Sequence, residues 1–191
     1  TAQYNTAYGF GAMDAITTGD FNTAVGLNAG TSLNTGSQNT LIGSSSGDSI
    51  TTGSYNIAIG SGALQTEDTG SGSVAIGRQS LSTQNYAGGA YNVAVGYQAG
   101  KSVTTGIENT IIGGLAGDAL TEGVRNVAIG YGALSAENGH GKNVAIGYFS
   151  LLNQDAGADA YNVAVGYSSG AAITTGVQNV LLGGQAGDAL T

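Results

Sequence analysis

The sequence predicts an all-β fold, either a repetitive β-solenoid or a triple β-helix fibre, which we expect to be trimeric. Two observations lead to this prediction. A pentapeptide of the form N-x-A-[VI]-G, or a close variant, recurs eleven times, and the 191 residues include 35 glycines but no proline. A stack of hydrogen-bonded coils explains both, because proline would remove a backbone donor and glycine permits tight turns.

The repeat unit is a 17-residue or, twice, a 19-residue segment, and four units form a superunit, as in 22–91 and 92–161. A single repetitive region covers 1–191, with units starting near residues 5, 22, 39, 56, 73, 92, 109, 126, 143, 162 and 179. The two longer units carry insertions that end in GGAY (88–91) and GADAY (157–161). Because the chain begins and ends inside the repeat, we expect it to be a segment of a longer protein.

Within a unit, the first five positions form the pentapeptide. Position one is Asn in all units but one, and this predicts a ladder of side-chain amides along the stack; its members include Asn92, Asn109, Asn126, Asn143, Asn162 and Asn179. Position five is always Gly, which indicates either a positive φ or a very close backbone neighbour at this position. After the first unit, these glycines are Gly26, Gly43, Gly60, Gly77, Gly96, Gly113, Gly130, Gly147, Gly166 and Gly183.

Positions two and four are mostly β-branched, whereas positions three and five are small, so the two sets point to opposite faces of a short strand. Small residues on the second face predict a backbone packed closely against it, and we therefore expect the strand to be buried on both sides. Val, Ile, Leu and Phe make up only 40 of 191 residues, close to the level at which chains fail to fold alone. We therefore expect neighbouring chains to add contacts, in a parallel homotrimer.

The units are of two kinds, which alternate two by two. One kind has Gly at position nine and an aliphatic residue at position twelve, as in Gly117 and Leu120. The other has Leu at position nine, as in Leu134, and no aliphatic residue at position twelve. Each unit thus supplies one apolar side chain to a second segment, but from a different place.

The composition excludes several functions. There is no Cys, which rules out disulfides and Cys-type zinc sites. A single histidine, His140, predicts no His-based metal cluster within one chain, and we expect no metal and no cofactor. The formal net charge of -8 with only four Lys and Arg residues argues against nucleic-acid binding. No apolar run is long enough to insert into a membrane.

The pentapeptides resemble those of two kinds of fibrous protein. SVAIG (73–77), NVAIG (126–130 and 143–147) and NIAIG (56–60) resemble the head repeats of trimeric autotransporter adhesins, which form a trimeric parallel β-roll with a somewhat shorter repeat. NTAVG (22–26) and NVAVG (92–96 and 162–166), followed by an Ala- or Ser-containing turn and TTG, resemble repeat regions of phage tail-fibre proteins.

This resemblance implies a structural or adhesive fibre, extracellular or on the virion surface, and not an enzyme. It would be a shaft or receptor-attachment segment of a phage tail fibre or a bacterial surface adhesin. Its partners would be further copies of itself and a glycan or protein receptor on a host surface. The alternatives are a glycan-degrading tail spike and a self-assembling extracellular filament subunit.

Candidate contact residues are the tyrosines at position six: Tyr97, Tyr131, Tyr148 and Tyr167. They can pack along the side wall or stack against sugars, since tyrosine has an apolar face and a polar tip. A tail spike would instead need paired carboxylates. The acids in the variable turns are Glu67 with Asp68, Glu137, and Asp155 with Asp159, and we expect them to be solvated.

Each of three other features has a structural and a functional interpretation. His140 is expected at the surface, with a ligand site on a trimer axis as the alternative. Gly-Asp recurs at 47–48, 117–118 and 187–188, as plain turns or as calcium-binding turns. The Thr-Thr pairs at 51–52, 104–105 and 174–175 would suit an ice-binding surface, but the rank of threonines is interrupted every two units, which counts against that function.

Overall fold

The computed structural model describes residues 1–190, which contain eleven three-residue strands and no helix. Each strand consists of positions two to four of one unit. The strands are β1 (Thr6–Tyr8), β2 (Thr23–Val25), β3 (Thr40–Ile42), β4 (Ile57–Ile59), β5 (Val74–Ile76), β6 (Val93–Val95), β7 (Thr110–Ile112), β8 (Val127–Ile129), β9 (Val144–Ile146), β10 (Val163–Val165) and β11 (Val180–Leu182).

All eleven strands form one parallel sheet in which every strand pairs with the next one along the chain. The register matches equivalent positions, so that Ala24 lies opposite Leu41, and Leu41 opposite Ala58. The two longer units keep this register, because Val74 pairs with Val93 and Val144 pairs with Val163. The fold is therefore a β-solenoid whose coils are made within one chain, and the alternative of a helix wound by three chains is wrong.

The two faces of the strands differ from the sequence-based expectation that both are buried. Position three points into the coil and is fully buried at Ala58, Ala94 and Ile111. Positions two and four point outward and stay partly exposed, as at Ile57 and Ile112. The small residues reflect the narrow interior of a single coil, and the close backbone neighbour is the next coil of the same chain.

Both reasons for a glycine at position five apply in the structure: the backbone has a positive φ there, and another backbone segment lies very close. Gly113 has φ +131°, a conformation that side-chain-bearing residues rarely adopt. A Cβ atom placed on Gly113 would lie 2.6 Å from the carbonyl carbon and oxygen of Gly130 in the next coil. The coils are in such close contact here that any side chain must displace backbone.

The two kinds of unit fill the same interior volume from different positions. In the unit starting at Asn109, a Cβ on Gly117 would lie 2.8 Å from Cδ1 of Leu120, which is fully buried. In the unit starting at Asn126, Leu134 replaces that glycine at nearly the same positive φ (55° against 51°) and is itself fully buried. In each of these two kinds of unit, one of positions nine and twelve is aliphatic, and the other is glycine or a polar residue.

The amides at position one form a buried ladder beside the sheet. Asn39 donates from its backbone N–H and its Nδ2 to Oδ1 of Asn22, at 2.9 and 3.0 Å. Its Nδ2 also donates to the carbonyl oxygen of Gly53, and its Oδ1 accepts the N–H of Asn56. A side chain that satisfies backbone groups of two coils in this way explains why position one is so uniform.

Candidate functional site

The outer face of the sheet carries a continuous apolar stripe, which we call the strand face and define as positions two and four of all units. It consists of Val, Ile, Leu and Thr, plus Tyr8, and no charged residue interrupts it in any unit. Its side chains are partly exposed along the stack, with Ile112 at 38%. Extended apolar surfaces of this kind are typical of contacts with other macromolecules.

The predicted contact tyrosines border this strand face at position six. The rings of Tyr131 and Tyr148 stack at 5.6 Å between centroids, and those of Tyr148 and Tyr167 at 5.5 Å, with interplanar angles of 16° and 6°. Tyr97 lies two coils before Tyr131, and Gly114 holds position six between them. All four rings are exposed.

This stacking limits what the tyrosine column can bind. The ring of Tyr148 is covered by Tyr131 on one side and Tyr167 on the other, and Phe149 packs obliquely against it at 4.1 Å. A sugar that stacks face to face therefore has access only to the outer rings, such as Tyr167, whose following coil has Gly184 at position six. The inner rings therefore pack along the side wall, and only the outer ring faces are accessible to a sugar.

Two of the candidate acids lie in the interior, contrary to the expectation that they are solvated. Glu67 and Glu137 are fully buried, and both occupy position twelve of a unit with Leu at position nine. Position twelve of the other kind of unit is aliphatic and buried, as in Leu120. That regularity is visible in the sequence and indicates that position twelve points inward in both kinds of unit, whether it holds an aliphatic or a polar residue.

The first interior cluster, around Glu67, is fully hydrogen-bonded. Oε1 of Glu67 accepts the N–H of Gly70, and Oε2 accepts from Nε2 of Gln84, both at 2.8 Å. Gln84 also donates to Oγ of Ser73 at 2.9 Å and accepts from Nδ2 of Asn92 at 2.8 Å. The buried carboxylate thus has a polar partner on each oxygen, as burial requires.

The second interior cluster occupies the equivalent place in the next superunit and is not fully hydrogen-bonded. Oε1 of Glu137 accepts the N–H of His140 at 3.1 Å, and Gln154 accepts from Nδ2 of Asn162 at 2.7 Å. Four buried atoms, however, have no hydrogen-bond partner within residues 1–190: Oε2 of Glu137, Nδ1 of His140, Nε2 of Gln154 and Nδ2 of Asn143. Asn143 stands where Ser73 stands in the first cluster.

The electrostatics of the second cluster follow from this burial. Burial raises the pKa of the Glu137 carboxyl, and the negative charge of Asp155 adds to the rise against the opposing hydrogen bond from the N–H of His140. In the same turn, Lys142 forms an ion pair with Asp159, which raises the pKa of Lys142 and lowers that of Asp159. The lysine charge is therefore bound to an exposed acid and not to the buried one.

The remaining sequence candidates are distributed along the coils. Asp48 and Asp118, of the Gly-Asp pairs, are partly buried, and burial raises the pKa of each carboxyl. The first threonine of a Thr-Thr pair bonds to the next coil where Thr51 reaches Asp68 and where Thr104 reaches the carbonyl oxygen of Thr121. These hydroxyls are part of the coil-to-coil contacts.

Comparison with protein-family models, with curated proteins and with solved structures found no match to this chain. Within residues 1–190 no helix has the length and apolarity needed to cross a membrane.

Proposed function

We propose that the chain is a structural and adhesive segment of an extracellular fibre, a homotrimer of parallel chains in register. It serves as a shaft or receptor-attachment segment of a phage tail fibre or a bacterial surface adhesin, on the virion or the cell surface. The observation that carries the proposal is the exposed, uncharged strand face that runs the length of the solenoid. The resemblance of the pentapeptides to those two kinds of fibre supports it.

The strand face suits association with further copies of the same chain. Its side chains repeat at the strand spacing of about 4.8 Å in every copy, so parallel copies in register bring equivalent aliphatic rows together along the whole rod. Burying this stripe gives each coil apolar contacts that its own narrow interior cannot provide, at roughly 25 cal/mol per Å² removed from water.

The mechanism of such a fibre is mechanical. A stack of hydrogen-bonded coils holds a binding region away from the body that carries it, and surface residues that recur in every unit or every superunit make any weak contact many times. Avidity toward a host-surface glycan or protein then replaces a single tight pocket. Binding of the assembled fibre to whole cells should weaken steeply when the rod is shortened.

Light scattering on the purified native chain tests the assembly, and we expect three times the chain mass of 18.7 kDa. Ile112→Lys places a charge on the strand face and should yield folded monomers. Thr105→Lys places the same charge in an exposed turn and should leave the trimer intact, which makes it the matched control. A wild-type chain that is a folded monomer would overturn the trimer and leave a single-chain solenoid.

A glycan-degrading spike would need two carboxylates that a sugar can reach. Glu137 and Asp155 lie close together, but the Glu137 side chain is fully buried, and a glycosidic oxygen cannot approach it in this conformation. Incubating the fibre with host polysaccharide and measuring reducing ends decides the question. Turnover that is lost in Glu137→Gln or Asp155→Asn would establish the spike, and we expect none.

The filament-subunit alternative is that isolated chains polymerise end to end, since a stack of parallel strands can be extended by the strands of another copy. End-to-end growth would appear in the same light-scattering experiment as polymers whose mass rises with concentration, whereas a closed trimer has a fixed mass.

A further inference from the structure

We propose that Glu137, His140 and Asp155 bind a divalent transition-metal ion, for which Zn²⁺ is the probe. Each residue offers one ligand atom, and the three atoms lie within 4.8 Å of one another. Nδ1 of His140 is 3.5 Å from Oε1 of Glu137. Two ligands of one tetrahedral Zn²⁺ ion lie about 3.4 Å apart, given metal–ligand bonds of about 2.0–2.2 Å, so this pair needs almost no movement.

An independent observation points to a ligand at the same place. The Glu137 side chain is fully buried, yet its Oε2 has no hydrogen-bond partner within the described part of the chain, and neither has the buried Nδ1 of His140. A buried carboxylate without a partner is costly. A cation held between the imidazole and the carboxylates gives Nδ1 of His140 a partner and offsets the charges of Glu137 and Asp155.

The first superunit, 22–91, provides an internal comparison, because its positions are equivalent to those of 92–161. Glu67 corresponds to Glu137, but Gly70 stands in place of His140, and Asn85 in place of Asp155. In that cluster the carboxylate is hydrogen-bonded through both oxygens. Two separate departures from the repeat thus place an imidazole and a second carboxylate around the fully buried acid that has one oxygen without a hydrogen-bond partner.

The backbone holds these ligands in place. The N–H of His140 donates to Glu137, and the carbonyl oxygen of His140 accepts from Nδ2 of Asn126 at 3.2 Å. The N–H of Asp155 donates to the carbonyl oxygen of Thr174 at 2.8 Å, and the carboxylate of Asp155 accepts from Asn138 at 3.3 Å. Asp155 is exposed, so its side chain closes the remaining distance to the ion by turning away from Asn138.

The donor set selects the class of metal. One imidazole nitrogen and two carboxylates suit Zn²⁺ and similar ions, with water completing the shell. Ca²⁺ needs six to eight oxygen ligands, and this site offers fewer. Counting histidines along the sequence predicts no metal cluster, because Glu137 lies only three residues before His140 but Asp155 joins them only when adjacent coils stack.

Titration calorimetry with Zn²⁺ tests the proposal on the whole chain, prepared without an affinity tag and stripped with a chelator. We expect one Zn²⁺ per chain, and a melting temperature that rises with Zn²⁺ and falls again with chelator. His140→Gly and Asp155→Asn, which restore the residues of the first superunit, should each weaken binding at least about tenfold. Asp159→Asn removes a nearby acid that pairs with Lys142 and should leave binding unchanged.

Circular dichroism of the stripped variants checks that they fold as the wild type does, which is expected since both changes lie in turns. Two results would overturn the proposal: no stoichiometric Zn²⁺ binding by the wild-type chain, or binding that His140→Gly and Asp155→Asn leave unchanged. Binding of Ca²⁺ in preference to Zn²⁺ would also contradict the assignment of the metal class.

Discussion

Position five of the unit tolerates only glycine because two constraints coincide there. At Gly113 the positive φ strains any side chain, and the neighbouring backbone of Gly130 leaves no room for a Cβ. We expect Gly113→Val to lower the free energy of unfolding by about 2–6 kcal/mol, the combined range for strain and overpacking. Thr175→Val, in an exposed turn, should change it by no more than about 0.5 kcal/mol.

Thermal unfolding of both variants beside the wild type measures this difference. Equal melting temperatures for Gly113→Val and Thr175→Val would show that the tight coil-to-coil contact lies elsewhere.

At the scale of single residues, the sequence predicts the positions that shape the backbone better than it predicts which polar side chains are buried. A glycine at every position five and an asparagine at nearly every position one follow from contacts that each coil repeats, so that the pattern alone reveals them. Glu67 and Glu137 were expected in solvent, because acids in glycine-rich turns usually are. Their burial depends on Leu64 and Leu134 at position nine, which fill the apolar space and leave position twelve for a polar group.

The repeating element is a coil in which positions nine and twelve share the interior on the face opposite the strand. Gly117→Leu adds a side chain toward Leu120 and should cost about 1–3 kcal/mol by overpacking, while Leu120→Ala should cost about 2–5 kcal/mol by leaving a cavity. The double variant has leucine at position nine, as the Leu134 coil does, and no longer has an aliphatic residue at position twelve, where that coil carries Glu137. We therefore expect it to cost at least about 1 kcal/mol less than the sum of the single changes.

Equilibrium unfolding of the four proteins gives this coupling energy. Gly117→Leu combined with Leu33→Ala, five units away, is the control and should be additive. Additivity in the Gly117 and Leu120 pair would mean that the two side chains do not share one volume.

The orientation of the strands shows where sequence reasoning fails at the level of the element. Strand bounds such as Val127–Ile129 follow directly from the pentapeptide. The small residues at positions three and five correctly indicate a close neighbour, but a pattern cannot tell whether that neighbour belongs to another chain or to the same chain. The structure places it in the same chain, with position three in the coil interior, and this leaves the β-branched face outward.

At the scale of the whole molecule, stability is a sum over coils and the contacts between neighbours, so what matters is whether adjacent coils match. The large residue at position three shows this. Ile111 lies beside Gly100 of the preceding coil, and a Cβ added to Gly100 would lie 2.9 Å from Cδ1 of Ile111. Each pair of coils with glycine at position nine has one large residue at position three, and this residue fills the space that the two glycines leave. The superunit of four coils is thus the smallest segment that can be exchanged without changing any neighbour.

Deleting residues 93–162 removes one superunit and joins Asn92 to Val163, which replaces Val93 by an equivalent valine. Every remaining coil keeps a neighbour of its original kind, and we expect this variant to melt within a few degrees of the full chain.

Deleting 110–126 removes a single coil and joins Asn109 to Val127. Gly100 then faces Ala128 in place of Ile111, and the resulting cavity should cost about 2–5 kcal/mol. The longer variant should therefore have the lower melting temperature, as measured by circular dichroism at equal concentration. If melting temperature instead rose with the number of coils kept, whatever their kind, the two-by-two alternation would have no role in stability.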